Sequence, residues 1–196
     1  MTAPDNSQPP WISGEFDLTA LTRGAPRILN RGQFLDHVDR QLQITRKSID
    51  SRFAVLLCDL DNYPDIVTEK GRQAADMVVR AVVEPIGTML SRGDAIAILA
   101  NGTIGVLLET VRLRGTVQDF AAEMVGGLKT AAADVSVNDP TASVGIAKVT
   151  GNYVAAEDIL RDALLALHTA ESSGRDQIQV FHRGLDEIAL QPPIAI

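Results

Sequence analysis

The chain has 196 residues, of which 45% are hydrophobic and only 4% aromatic, and a formal net charge of −7. That length suits one domain with tails, and the aliphatic share suffices for a packed core. The acidic balance argues against a nucleic-acid groove, which needs a basic face; no apolar run approaches the ~20 residues of a membrane-spanning helix; and a single cysteine, Cys58, cannot form an internal disulfide.

Residues 1–26 carry Pro4, Pro9, Pro10 and Pro26 with no sustained hydrophobic period. They read as an extended or partly disordered arm without a signal-peptide core, and a cytoplasmic location is expected. Trp11 in this arm is either an anchor for a partner or a residue packed on its own domain.

The periodic part of the chain begins at Arg31–Lys47, where Phe34, Leu35, Val38 and Leu42 fall on one helical face. Phe53–Leu60 is continuously apolar up to its acid and reads as a buried central strand, with Cys58 as a small buried hydrophobe. Gln73–Leu90 is a helix with Val79, Val82, Val83, Ile86 and Leu90 in register; Pro85 should kink or split it, because proline removes a backbone donor.

Asp94–Glu109 reads as two strands joined at Ala100-Asn101-Gly102-Thr103. Asn-Gly between apolar runs is a strong hairpin signal, since both residues tolerate positive φ. Thr116–Ala133 is an amphipathic helix and Ala142–Val149 a strand. Asp158–Ser172 is a helix with Ile159, Leu160, Ala163, Leu164 and Leu167 toward the core, ended by Gly174. Gln177–Phe181 is a last short strand. This order predicts an α+β fold, a ferredoxin-like or palm-type central sheet with helices packed on it.

Asp59-Leu60-Asp61 closes the central strand. Two acids at a strand end can hold a divalent cation, as nucleotidyl-transfer palms do for phosphoryl chemistry. Strand-end aspartates are also common turn formers. On the residues alone both readings stand.

The hairpin resembles the signature hairpin of GGDEF (diguanylate cyclase) domains, where Gly-Gly-Asp/Glu-Glu-Phe joins two strands. Here the motif reads Ala100-Asn101-Gly102-Thr103-Ile104, so the turn survives and both carboxylates are gone. In the family the central strand ends in Asp-x-Asp-x-Phe-Lys, followed by an Asn and then Gly-His-x-x-Gly-Asp. Asp59 falls on the family's metal-binding Asp, Leu60 on the residue whose carbonyl meets metal, and Asp76 on the guanine-binding Asp. Val67 stands at the guanine-binding Asn, Pro64 at the Lys and Arg72 at the His, while Gly71 is kept. Asn30-Arg31 and Phe34 match the entry to the first helix, and Ser143-Val144-Gly145 matches a Ser-x-Gly strand. Ala170-Glu171-Ser172-Ser173-Gly174-Arg175-Asp176 sits on Ala-Lys-x-x-Gly-Arg-Asn. Arg175 is kept, the phosphate-binding Lys is Glu171, and His168 replaces a common Tyr.

The resemblance implies a GGDEF/nucleotidyl-cyclase palm over residues 27–182, with a C-terminal tail over 183–196. It implies a degenerate domain without cyclase activity. Of three family carboxylates only Asp59 remains, so residual Mg²⁺ binding at Asp59 is weak and no cofactor is expected. The family's product-inhibition site, Arg-x-x-Asp, reads Ser91-Arg92-Gly93-Asp94, so Arg92 and Asp94 are the candidate cyclic di-GMP residues. The implied role is a regulatory, protein-interaction module in cyclic di-GMP signalling. Its partner would be an active GGDEF protein or a second copy in a homodimer, and neither nucleic acid nor membrane is expected as a partner. The alternative is a non-catalytic sensor of GTP or cyclic di-GMP built on Asp59, Asp76, Arg175, Arg92 and Asp94. A third reading gives Asp59, Asp61 and Asp65 some other nucleotide chemistry.

Overall fold

The computed structural model describes residues 28–48, 52–61, 63–100, 102–109, 116–133, 140–149 and 153–182. In chain order they form β1 (Ile28–Leu29), α1 (Arg31–Lys47), β2 (Phe53–Leu60), α2 (Tyr63–Lys70) and α3 (Arg72–Met89). Then come β3 (Ala95–Ala100), β4 (Thr103–Leu108), α4 (Val117–Ala133), β5 (Ala142–Val149), α5 (Ala156–Ser172) and β6 (Ile178–Val180). The arm 1–26 with Trp11, the tail 183–196 and Asn101 lie outside the described residues, as do the side chains of Asp76 and Val82.

The strands make one sheet in the order β1-β3-β4-β2-β5-β6. β3, β4, β2 and β5 run antiparallel to their neighbours, and the short edges β1 and β6 pair in parallel with β3 and β5. The β2 run is apolar up to Asp59 because both of its faces are covered. Ala54, Leu56, Cys58 and Leu60 point into one core with residues of α2, α3 and α4. Phe53, Val55 and Leu57 point into the other, with Phe34, Val38 and Leu42 of α1 and Ile159, Ala163 and Leu167 of α5. The α+β palm with a central sheet and packed helices is therefore present, in three layers.

Local chemistry fixes the helices on the α1–α5 side. Asn30 and Gln33 cap α1 reciprocally: Gln33 N–H donates to Asn30 Oδ1 at 2.9 Å and Asn30 N–H to Gln33 Oε1 at 3.1 Å. Farther along α1, Asp39 Oδ1 accepts the Ala156 N–H at 2.9 Å, capping α5 from a neighbouring helix. Arg46 donates to the carbonyls of Tyr153 and Val154 at 2.8 and 2.9 Å. On the sheet, Gly145 lets α5 approach: a Cβ there would overlap the Ala163 carbonyl oxygen and the Leu167 nitrogen.

Four details differ from the sequence reading. β1 is an extra two-residue edge strand, too short to show a period. α2 is an additional helix of eight residues, of which Tyr63 and Ile66 are buried. α3 is not split at Pro85. That proline lies against α4, where a Cβ on Gly127 would sit 3.7 Å from the Pro85 Cβ, and packing between the two helices offsets the lost hydrogen bond. Leu164, expected in the core, is 41% exposed. The buried stripe of α5 instead runs Ile159, Ala163, Ala166, Leu167 and Ala170.

Candidate functional site

The strand and helix periods meet at the C-terminal end of β2. Residues 53, 55 and 57 face α5, and strand alternation carries Asp59 to the same face. On α5 the stripe Ile159, Ala163, Leu167 continues four residues on to Glu171. The two carboxyls therefore meet. They line a cleft of about 520 Å³ with Leu60, Asp61, Pro64, His168, Ser172 and Arg175.

Asp59 and Glu171 are close enough for their charges to interact. Burial and the Glu171 charge push the Asp59 pKa up to about 6, with Asp61 adding to the effect. His168 Nδ1 lies 3.1 Å from Glu171 Oε2 at the outer side of the pair. Beneath them, burial and the same aspartates raise the Cys58 thiol far above its ordinary range, which leaves it an inert core group.

Asp61 is committed to structure. Ser143 Oγ donates to its Oδ1 at 2.6 Å and the Asp176 N–H to its Oδ2 at 3.1 Å. Arg175 and Asp176 both have positive φ, 64° and 49°, directly after Gly174 at 121°. The Asp176 carboxylate takes Lys129 Nζ of α4 at 2.6 Å.

The signature turn closes as expected, with Ala100 paired to Thr103. Gly102 has φ +92°, and a Cβ there would come within 2.7 Å of the Tyr63 ring. The turn is thus stacked on α2, the helix missed in the sequence. Ile104 is buried in the sheet.

Of the remaining candidates, the described side chains of Asp65, Arg92 and Asp94 are not among those lining the cleft. Asp76 is on α3 and Asp65 is exposed on α2. Asp94 is consumed locally: its Oδ2 accepts the Ser91 N–H at 2.8 Å and its Oδ1 the Glu109 N–H at 2.9 Å. Arg92 is exposed beside it. His37 Nε2 lies 3.2 Å from the Gly93 carbonyl and 3.8 Å from Glu109, whose pKa is raised by burial and opposed by His37.

The family resemblance calls for Mg²⁺, and the residues present do not suit it. Asp59 lies beside a second carboxyl whose charge raises its pKa, and both Asp61 oxygens are engaged. Among the described residues no group of three His, Cys, Asp or Glu side chains is arranged to hold a metal ion. The sequence reading groups Asp59, Leu60, Asp76 and Arg175 as one nucleotide site and notes Glu171 and His168; of these, Asp59, Leu60, Arg175, Glu171 and His168 line the cleft. It misses the bracing roles of Ser143, Asp176 and Lys129, which arise from strand register and loop backbone.

The sequence matches the family model described as diguanylate cyclase, GGDEF domain, over residues 24–177. A cyclic di-GMP phosphodiesterase of Pseudomonas aeruginosa, NbdA, is 29% identical over 138 residues, which cover 67% of this chain and 17% of that protein. The chain thus spans about a sixth of that curated relative. Among solved structures, the GGDEF domain of TpbB (YfiN) from P. aeruginosa superposes with a TM-score of 0.70 at 23% identity, covering 84% of this chain and 96% of that one. SiaD of P. aeruginosa, a diguanylate cyclase solved with its activator SiaC, gives 0.65 at 21%, covering 78% and 58%. At these identities the structures establish the fold. No described helix is long and apolar enough to cross a membrane.

Proposed function

The chain belongs to the GGDEF (diguanylate cyclase) domain family, and from that premise we propose that it is a catalytically inactive member acting in cyclic di-GMP signalling through protein contacts. The observation that carries this reading is the Asp59–Glu171 pair. A nucleoside triphosphate needs positive charge where its phosphates lie and free carboxylates where its metals lie. Here an acid stands in the phosphate-facing position, and it occupies the one retained metal-position aspartate. At ~4 Å and an effective dielectric near 20, one such like-charge contact costs about 4 kcal/mol. Gly102 and Thr103 replace the signature acids, and Val67 leaves polar guanine edges without a partner.

The scaffold is meanwhile intact. A domain that keeps its sheet, caps and helix packing while losing its reactive groups retains what a protein contact needs. The SiaD–SiaC complex is an example of a relative assembled with a regulator. A partner of this chain would be an active GGDEF protein or a second copy. Co-purification after crosslinking with a co-expressed active cyclase supports the reading; recovery of the chain alone, as a monomer, contradicts it.

A second reading, a sensor of GTP or cyclic di-GMP without turnover, is favoured by Arg175, the one lysine or arginine among the described residues lining the cleft. Thermal unfolding with each nucleotide, with and without Mg²⁺, separates the two. A ligand at ~100 times its Kd stabilises by about 2.7 kcal/mol, a plain shift in Tm. No shift with either nucleotide leaves the protein-contact reading; a shift with one of them selects the sensor.

A further inference from the structure

Asp61 and Lys129 lie on different elements, yet both grip the short loop after α5. Asp61 at the end of β2 accepts the Asp176 N–H, and Lys129 of α4 holds the Asp176 carboxylate. Between them Arg175 and Asp176 sit in left-handed backbone conformations that side-chain-bearing residues rarely adopt. Such backbone persists where the surroundings over-determine it. The surroundings here are four polar contacts. Ser143 fixes Asp61 at 2.6 Å, Asp61 fixes Asp176, Lys129 fixes Asp176, and the Arg175 N–H donates to the Ala170 carbonyl at 3.1 Å.

We propose that this loop is a latch coupling the outer surface of α4 to the cleft, with Lys129 as its release point and Arg175 as the group it positions. Removing the Lys129 charge frees the Asp176 carboxylate. The left-handed pair then keeps the Asp61 contact and the Arg175 N–H bond to the Ala170 carbonyl, but loses its grip on the Asp176 side chain and relaxes, and Arg175 leaves its place in the cleft lining. Lys129 is 47% exposed on its side chain, so an acidic group on a partner seated against α4 can compete for it. Because coupling is reciprocal, a ligand that holds Arg175 in the cleft tightens the Lys129–Asp176 pair. The inference is independent of catalysis and stands whether or not the cleft takes a nucleotide.

The test is amide hydrogen exchange and arginine side-chain NMR on the full chain, comparing wild type with Lys129→Met and Lys129→Arg. The latch predicts Asp176 amide exchange faster by about tenfold or more in Lys129→Met, as for a locally opened segment. It also predicts a displaced Arg175 Nε–H resonance. Lys129→Arg, which keeps the charge, restores both. The Phe181 amide, bonded to the Ile146 carbonyl at 2.8 Å, reports that β6 stays paired. Unchanged Asp176 exchange overturns the proposal. So does faster exchange with an unmoved Arg175 resonance, since the ion pair is then a surface brace with no hold on the cleft.

Discussion

The Asp59 carboxyl on β2 and the Glu171 carboxyl on α5 line one cleft, where burial and the Glu171 charge raise the Asp59 pKa to about 6. Two periods bring them together, the strand's alternation and the helix's four-residue step, and their meeting closes the cleft on an acid pair.

That pair makes stability pH-dependent. Asp59 ordinarily titrates at 3.8 and in the fold at about 6. The folded state therefore favours the protonated form. Its contribution is fully present below 3.8 and is lost as pH rises through 6. Asp59→Asn should gain stability over wild type above this window, on the order of 1 kcal/mol once solvent screening is allowed for, and little below it. Urea denaturation at pH 4 and pH 7.5 checks the difference. A gain that is the same at both pH values argues against the raised Asp59 pKa.

Glu171→Lys restores the charge found at this position in the family. It should relieve the like-charge contact and increase affinity for GTP by about tenfold or more, roughly 1.4 kcal/mol. Turnover should remain absent because Gly102 and Thr103 supply no carboxylates. Isothermal titration and a product assay on the same variant separate binding from chemistry.

Asp94 is a structural acceptor for two backbone N–H groups. Asp94→Ala should destabilise by about 2–3 kcal/mol, since the bonds are charge-assisted and the Ser91 and Glu109 amides lose their acceptor. Denaturant unfolding measures it. Arg92→Ala, on an exposed side chain, should change stability by less than about 0.5 kcal/mol.

Gly145→Ala drives a methyl into the backbone of α5 at Ala163 and Leu167. The helix has no flexible atom to yield there, and a loss of about 2–3 kcal/mol is expected. A variant as stable as wild type would mean that α5 rides farther from the sheet than described.

Much of this was legible in the chain. The unbroken apolar run of β2, the Asn-Gly turn and the Ile159–Ala163–Leu167 spacing each carry a single unambiguous period. α2 was not legible, because its eight residues include Pro64 and three charged side chains and bury only Tyr63 and Ile66. Pro85 misled because its cost is local while the α4 contact that offsets it comes from more than forty positions away. Leu164 misled because Ala166 and Ala170, small and buried, turn the α5 stripe away from it. The bracing of Asp61 by Ser143 and Asp176 depends on strand register and on a left-handed loop, and neither leaves a mark in residue spacing.

The central claim, a GGDEF domain without cyclase chemistry, is tested most directly by incubating the purified chain with GTP and Mg²⁺ and analysing the products by chromatography and mass spectrometry. The account predicts no cyclic di-GMP above a protein-free control. Cyclic di-GMP formed by the wild-type chain and abolished in Asp59→Asn would contradict it.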